Sequence, residues 1–192
     1  DAIMIDWQRI FSDFPTLETA RCILRKPDTD DSEALFRLMG DEAVTRYLGR
    51  HPLATLQQAD ERIQLYWTAF ESQIGKTWMI VDKSEQVVIG TCGLFNLRRH
   101  HARAEIGYAL MPIWWGKGIT SEVVAEVLRY GFEVMQLHSV EAQLDPENIA
   151  SKRVLEKNGF VQEAYFREDF YHPVKEMFTD TAVYSLLATP PK

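Results

Sequence analysis

Cysteine is scarce in this 192-residue chain: it has two, Cys22 and Cys92, which form no C-x-x-C pair and no framework of bridges. A reduced compartment is expected. Basic charge is also short. There are 21 lysines and arginines against 28 aspartates and glutamates, a net charge of −7. That balance argues against a generic binder of nucleic acid or anionic membrane, and leaves a basic protein substrate open. No apolar run reaches membrane length, and the first residues lack the charged-then-apolar pattern of a signal. The expected location is cytoplasmic, with no membrane and no nucleic acid among the partners. H-E-x-x-H and Cys/His ligand sets are missing, so no metal is expected, and His100-His101 reads as an exposed turn. The G-x-S-x-G elbow of hydrolases is missing as well. So are repeats, low-complexity tracts and linkers. Residues 1–192 are expected to form a single domain, with 1–18 as an N-terminal arm or short helix.

What is present is an ordinary globular balance, 46% apolar and 26% charged. Trp7, Ile10, Phe11 and Phe14 are spaced for one apolar face. A strand is predicted over 20–26. Thr29-Asp30-Asp31 caps a helix carrying Ala34, Leu35 and Leu38. Thr55 and Gln58 form a capping box ahead of Ala59, Ile63, Tyr66, Trp67, Phe70 and Ile74 at helical spacing, with Gly75 as the stop. Strands are predicted near 77–82, 87–97 and 103–111. A helix follows with Ile119, Val123, Val127 and Val134 on one face. Later come a strand at 139–144, a short helix from Asn148 to Asn158-Gly159, and strands at 160–166 and 178–187. This is a mixed α/β sheet with helices packed on it.

Residues 104–120 are the most informative. The apolar run Ile106 to Met111 reads as a buried strand that Pro112 stops, and Gly116 and Gly118 then open a helix. A helix start presents free N–H groups and the positive end of a dipole, and glycine lets the backbone approach a ligand closely. A phosphate-bearing ligand beside a strand end fits that chemistry; a plain tight turn fits it too. The P-loop fits poorly because Gly118 stands where Ser or Thr should follow Lys117, and G-x-G-x-x-G fits poorly because Ser121 stands at its last glycine.

The segment Asn148-Ile-Ala-Ser151-Lys-Arg-Val-Leu-Glu-Lys157-Asn-Gly159-Phe160, with Glu105-Ile-Gly107-Tyr108 and Trp115-Gly-Lys-Gly118, resembles the GCN5-related N-acetyltransferases (GNAT). The resemblance is nearest to their RimJ/RimL branch of ribosomal-protein N-terminal acetyltransferases. Thr19 to Arg25 looks like the first strand of that branch, and Gly159-Phe160, Glu163 and Asp180 to Leu186 look like its end; the likeness runs over about residues 19–187. It implies the GNAT fold, a mostly antiparallel twisted sheet flanked by helices with a splayed central strand pair. It also implies acetyl-CoA as co-substrate. The pyrophosphate would rest on backbone N–H groups around Trp115, Gly116, Lys117, Gly118, Ile119 and Thr120, and the pantetheine amides would pair with the strand edge at Leu110 and Met111. The family often has Gln or Arg at the place of Trp115, and Gly or Ala at that of Thr120.

The resemblance gives Asn148 a pantetheine contact, though an N-cap role is equally open. It gives Ser151 the role of general acid toward the leaving thiolate; the plain alternative is a solvated helix serine. Lys157 is either a contact for the nucleotide phosphate or an exposed lysine near a helix end. Glu105 is the candidate general base. Alternation puts it on one strand face with Gly107, opposite Ile106 and Tyr108. Its structural alternative is a salt bridge, with Arg103 as partner. Glu168 and Asp169 are second choices for the base. Direct transfer needs only amine deprotonation, attack and an oxyanion stabilised by N–H donors, so neither cysteine has to react. The acceptor expected is a protein or peptide N-terminal α-amine. The alternatives are a small amine (polyamine, amino acid or antibiotic) or a CoA-binding sensor without turnover.

Overall fold

The computed structural model describes residues 4–188. Of the arm expected over 1–18, residues 1–3 therefore lie outside the described part. A short helix, α1 (Trp7–Ile10), is capped by the Asp6 carboxylate, which accepts from the Arg9 amide. The order then runs β1 (Leu17–Glu18), β2 (Cys22–Arg25), α2 (Ser32–Met39), α3 (Glu42–Thr45), α4 (Leu56–Glu71), β3 (Lys76–Asp82), β4 (Val88–Arg98) and β5 (Arg103–Leu110). It continues with α5 (Ile119–Glu133), β6 (Ser139–Leu144), α6 (Ile149–Lys157), β7 (Val161–His172) and β8 (Met177–Leu187).

All eight strands form one sheet in the order β1-β2-β3-β4-β5-β6-β8-β7. Every pairing is antiparallel except β5 with β6. Alternation along each strand feeds two apolar layers. One holds Cys92, Leu94, Ile106, Val123, Val127, Val140, Leu155 and Tyr184 between the sheet and α5 and α6. The other is smaller and lies under α2 and α4, with Leu35, Leu38, Ile63 and Ala109.

The capping box at Thr55 and Gln58 forms as the sequence predicts. The stop does not. The helix ends at Glu71, Ser72 caps it and Gln73 turns left-handed at φ 57°. The chain has therefore left the helix two residues before Gly75, and Ile74 is not on its apolar face. Val134 likewise misses the buried face: α5 ends at Glu133, so Val134 turns outward while Tyr130 and Gly131 face the core. β7 is six residues longer than the predicted 160–166 at its far end, because register shifts at Gln162/Ala164 and Phe166/Phe170 break its alternation.

The N-terminal arm is fastened by an unusual group. Lys76 is fully buried, and its Nζ donates to the carbonyls of Ile10 (2.7 Å) and Asp13 (2.9 Å) and bonds the Tyr130 hydroxyl (2.5 Å). The rings of Phe11, Phe70 and Tyr130 surround it at 5.2, 5.8 and 5.0 Å.

Candidate active site

The central strands part. β5 pairs with β6 only through Arg103–Ser139, Ala104–Val140 and Glu105–Glu141, and beyond Glu105 the two diverge. Met111 donates its amide to Ile89 across the β4 side, so alternate residues present their backbone groups the other way. The residues facing the gap are thus Tyr108 and Leu110. This corrects the expected edge: Met111 packs under α2 and α4 and its N–H is committed to β4.

A cavity of about 470 Å³ runs through the gap. Its walls come from both sheet faces: Val44 of α3 with Tyr47 and Leu48 just after it on one side, Ile119 and Val154 on the other. Leu110, Trp115, Gly116, Gly118, Thr120, Asn148, Ser151 and Lys157 also line it, so nearly all the predicted binding residues converge. Lys117 does not line it. Its carbonyl accepts from Arg21 (2.8 Å), and its ammonium sits 5.0 Å over the Trp114 ring.

Gly116 and Gly118 adopt φ values of 74° and 78°, and a Cβ at either would meet open space or ordinary contact. Glycine is needed there for the left-handed backbone rather than for room. The turn leaves the N–H groups at the start of α5 directed at the cavity, since the first hydrogen bond into the helix is from Glu122 to Gly118. Trp115 contributes differently from expectation. Its amide donates to Pro112 and its indole N–H to the Leu110 carbonyl (2.7 Å), so it shapes the wall rather than donating to a ligand.

Asn148 caps α6 by accepting from the Ser151 amide (3.1 Å). Ser151 Oγ lies 2.7 Å from the Tyr108 hydroxyl. Burial pushes the Tyr108 phenol up to about 12, partly countered by the Ser151 bond, so it stays protonated at neutral pH. The sequence reading put Tyr108 on the face opposite Glu105 but gave it no task. The signal was there: Tyr108 and Leu110 share a face two residues apart. Arg153 was also missed. It lines the cavity with Lys157 one turn on, a cationic i,i+4 pair on α6.

Residues 21–161 match the model for the acetyltransferase (GNAT) domain. The chain belongs to the GNAT family. YoaA of Bacillus subtilis (strain 168), named an uncharacterized N-acetyltransferase, is 37% identical over 174 residues, 91% of this chain and 97% of the relative. RimL, a ribosomal α-N-protein acetyltransferase solved with coenzyme A, shares the fold at TM-score 0.81 and 17% identity, over 90% of this chain and 98% of its own. A spermidine N-acetyltransferase from Vibrio cholerae, solved with CoA and spermine, has TM-score 0.77 and 22% identity, over 88% and 96%. The GNAT chain is an acetyl-CoA-dependent N-acetyltransferase of mixed, mostly antiparallel α/β fold.

The base candidates lie apart from the hydroxyl pair. Glu105 faces the α4 side and accepts from Asn96 (3.3 Å). Arg103 is not its partner: it bonds Glu141 (3.3 Å), Ser139 (2.9 Å) and Ser185 (2.7 Å), and Arg98 also pairs with Glu141. Glu168 and Asp169 sit in the register shift of β7. The Glu168 amide donates to Asp180 (2.7 Å), in a wide groove of about 940 Å³ beside Tyr165, Phe166 and Phe178. That groove reaches Glu147, next to Asn148, where the central cavity begins. Both cysteines are buried, and burial pushes both thiols up, so neither is a nucleophile. His100 and His101 lie in the exposed turn between β4 and β5.

Proposed function

We propose that this GNAT enzyme transfers acetyl from acetyl-CoA directly to the N-terminal α-amine of a protein or peptide, in the manner of the RimJ/RimL branch. The observation that carries the reading is the single cavity joining the Gly116–Thr120 turn to the Tyr108–Ser151 pair. The fit to acetyl-CoA rests on donor chemistry. Free N–H groups at the start of α5, with Arg153 and Lys157 opposite, suit the phosphates. Backbone groups of Tyr108 and the Leu110 N–H suit the pantetheine amides, and the Asn148 side-chain NH₂ donates to none of the described residues while its oxygen caps α6. Lys117 and Trp115 hold the turn in shape.

Ser151, backed by the Tyr108 O–H, protonates the departing thiolate. Glu105 lies roughly 13 Å along the strand from Ala109, at about 3.3 Å per residue, so it draws the amine proton through water rather than directly. Residues 1–192 act as one catalytic unit.

The peptide acceptor is favoured by the wide aromatic groove along β7 and β8, which meets the cavity at Glu147–Asn148 and gives an extended chain room to lie. RimL, which acts on a ribosomal protein by its name, shares the fold. The rival is a small amine, as the spermidine enzyme illustrates. A thiol-release screen of N-terminal peptides against polyamines and amino acids tests the reading. Release driven by peptides supports it; release driven only by spermidine contradicts it.

A further inference from the structure

Near the cavity stand two arginines, Arg50 and Arg62, with no ion-pair partner among the described residues. Arg62 and Tyr66 stand one turn apart on α4, on the same helix face. Arg50 closes on them from the loop after α3. The titratable groups acting on its guanidinium are Arg62 and Tyr66, with no carboxylate among them. Among the described residues neither arginine forms an ion pair, although the chain carries excess acid. Both are half-buried. Burial and the neighbouring Arg62 push the Arg50 guanidinium down, and burial pushes the Tyr66 phenol up. Placing two cations side by side, partly out of water, is unfavourable unless an anion joins them.

The pair also adjoins the cavity wall. Tyr47 and Leu48 line the cavity, and Arg50 follows them two residues on. The loop between is pinned. A Cβ on Gly49 would come within 2.6 Å of the Phe170 ring, and His172 bonds the Arg46 carbonyl (3.1 Å). Tyr66 lies against Thr91, which pairs with Ala109 of the cavity wall.

We infer that Arg50 and Arg62, with the Tyr66 hydroxyl, form a carboxylate-binding subsite, so that the acceptor is an amine whose own molecule carries an anionic group. This rests on the acetyltransferase reading above and narrows it: a polyamine is all cation and would be repelled here. Two guanidiniums offer forked N–H donors that match a carboxylate. The carboxylate has two sources, an acidic residue near a peptide N-terminus or a free amino acid.

The test compares four acceptors in a thiol-release assay: a C-terminally amidated peptide with Glu in second place, its Gln twin, free aspartate, and spermidine. The Glu peptide or aspartate should exceed the Gln twin by about tenfold in kcat/KM, in keeping with a charge-assisted pair. Whichever of the two leads identifies the source. Arg50→Gln and Arg62→Gln should each remove that preference by raising KM for the acidic acceptor, with kcat within about twofold. Equal rates for the twins, or spermidine as the best acceptor, would overturn the subsite. So would an equal loss for both twins in the variants. Succinate titrated calorimetrically into the protein without acetyl-CoA separates the two readings. Saturable heat that Arg62→Gln abolishes supports the subsite even if no amine releases thiol, an outcome that would sink only the transfer reading. No heat with the unaltered protein counts against the subsite itself.

Discussion

Tyr108→Phe removes one hydroxyl and leaves the ring that packs in the wall. In the native protein that hydroxyl lies 2.7 Å from Ser151 Oγ, in a part-buried place on the cavity wall. Losing a hydrogen bond of this kind costs about 1–1.5 kcal/mol. If the bond tightens as Ser151 gives up its proton, the whole cost falls on the transition state, and kcat drops about 5- to 15-fold. Ser151→Ala removes the donor itself and should lower kcat about 10- to 100-fold, with acetyl-CoA KM little changed. The two residues act in series, so the double variant should be no slower than Ser151→Ala alone within about twofold. Because the phenol titrates near 12, the wild-type rate should show no falling limb from Tyr108 below about pH 10. Steady-state kinetics of all four proteins, by thiol release across pH 6–10, reads every one of these outcomes. Full activity in Tyr108→Phe, or multiplicative losses in the double variant, would refute the relay and leave the contact as packing.

Glu105→Gln keeps the hydrogen bond to Asn96 but removes basicity, and should cut kcat/KM by about 10²-fold while acetyl-CoA binding survives; full activity would move the base to Glu168 or Asp169. Gly118→Glu forces a side chain onto a backbone at φ 78° and adds negative charge at the phosphate end, so acetyl-CoA should no longer shift the melting temperature. Lys76 carries a pH effect. Burial holds it near 8 in the folded chain against 10.5 when unfolded, so the unfolded chain binds more protons between those values and stability rises with pH there. The Lys76→Met variant shares the cysteines and tyrosines that titrate nearby, so chemical denaturation of the two proteins isolates the lysine. Their stability difference should move in favour of wild type by about 3 kcal/mol between pH 8 and 10.5, and a flat difference would show that burial does not lower the lysine's pKa.

Much of the architecture was legible because its signals are local. The Thr55–Gln58 box, the β6 bounds at Ser139–Leu144 and the Asn148 cap all depend on residues a few places apart. The glycine turn was legible because a left-handed backbone leaves a residue signature. What escaped reading depends on distant partners. Met111 was expected at the ligand edge, but which side of β5 a backbone group faces is set by its register with β4. Trp115 was expected to offer a backbone donor to the ligand, yet its amide is taken by Pro112 and its indole reaches back to Leu110. Tyr108 gains a role only once α6, over 40 residues later, brings Ser151 to it. The end of α4 was misplaced because Gln73 takes the left-handed turn that glycine was expected to take. Arg50 and Arg62, 12 residues apart and in different elements, give no pattern at all until the loop after α3 folds over α4.

The account stands most directly on the cavity that joins the Gly116–Thr120 turn to Ser151. Calorimetric titration of acetyl-CoA into the wild-type protein and the Gly118→Glu variant tests it. Saturable one-site heat at micromolar affinity, displaced by CoA and abolished in the variant, is the predicted result. No heat with wild type, or equal binding to both proteins, would contradict it.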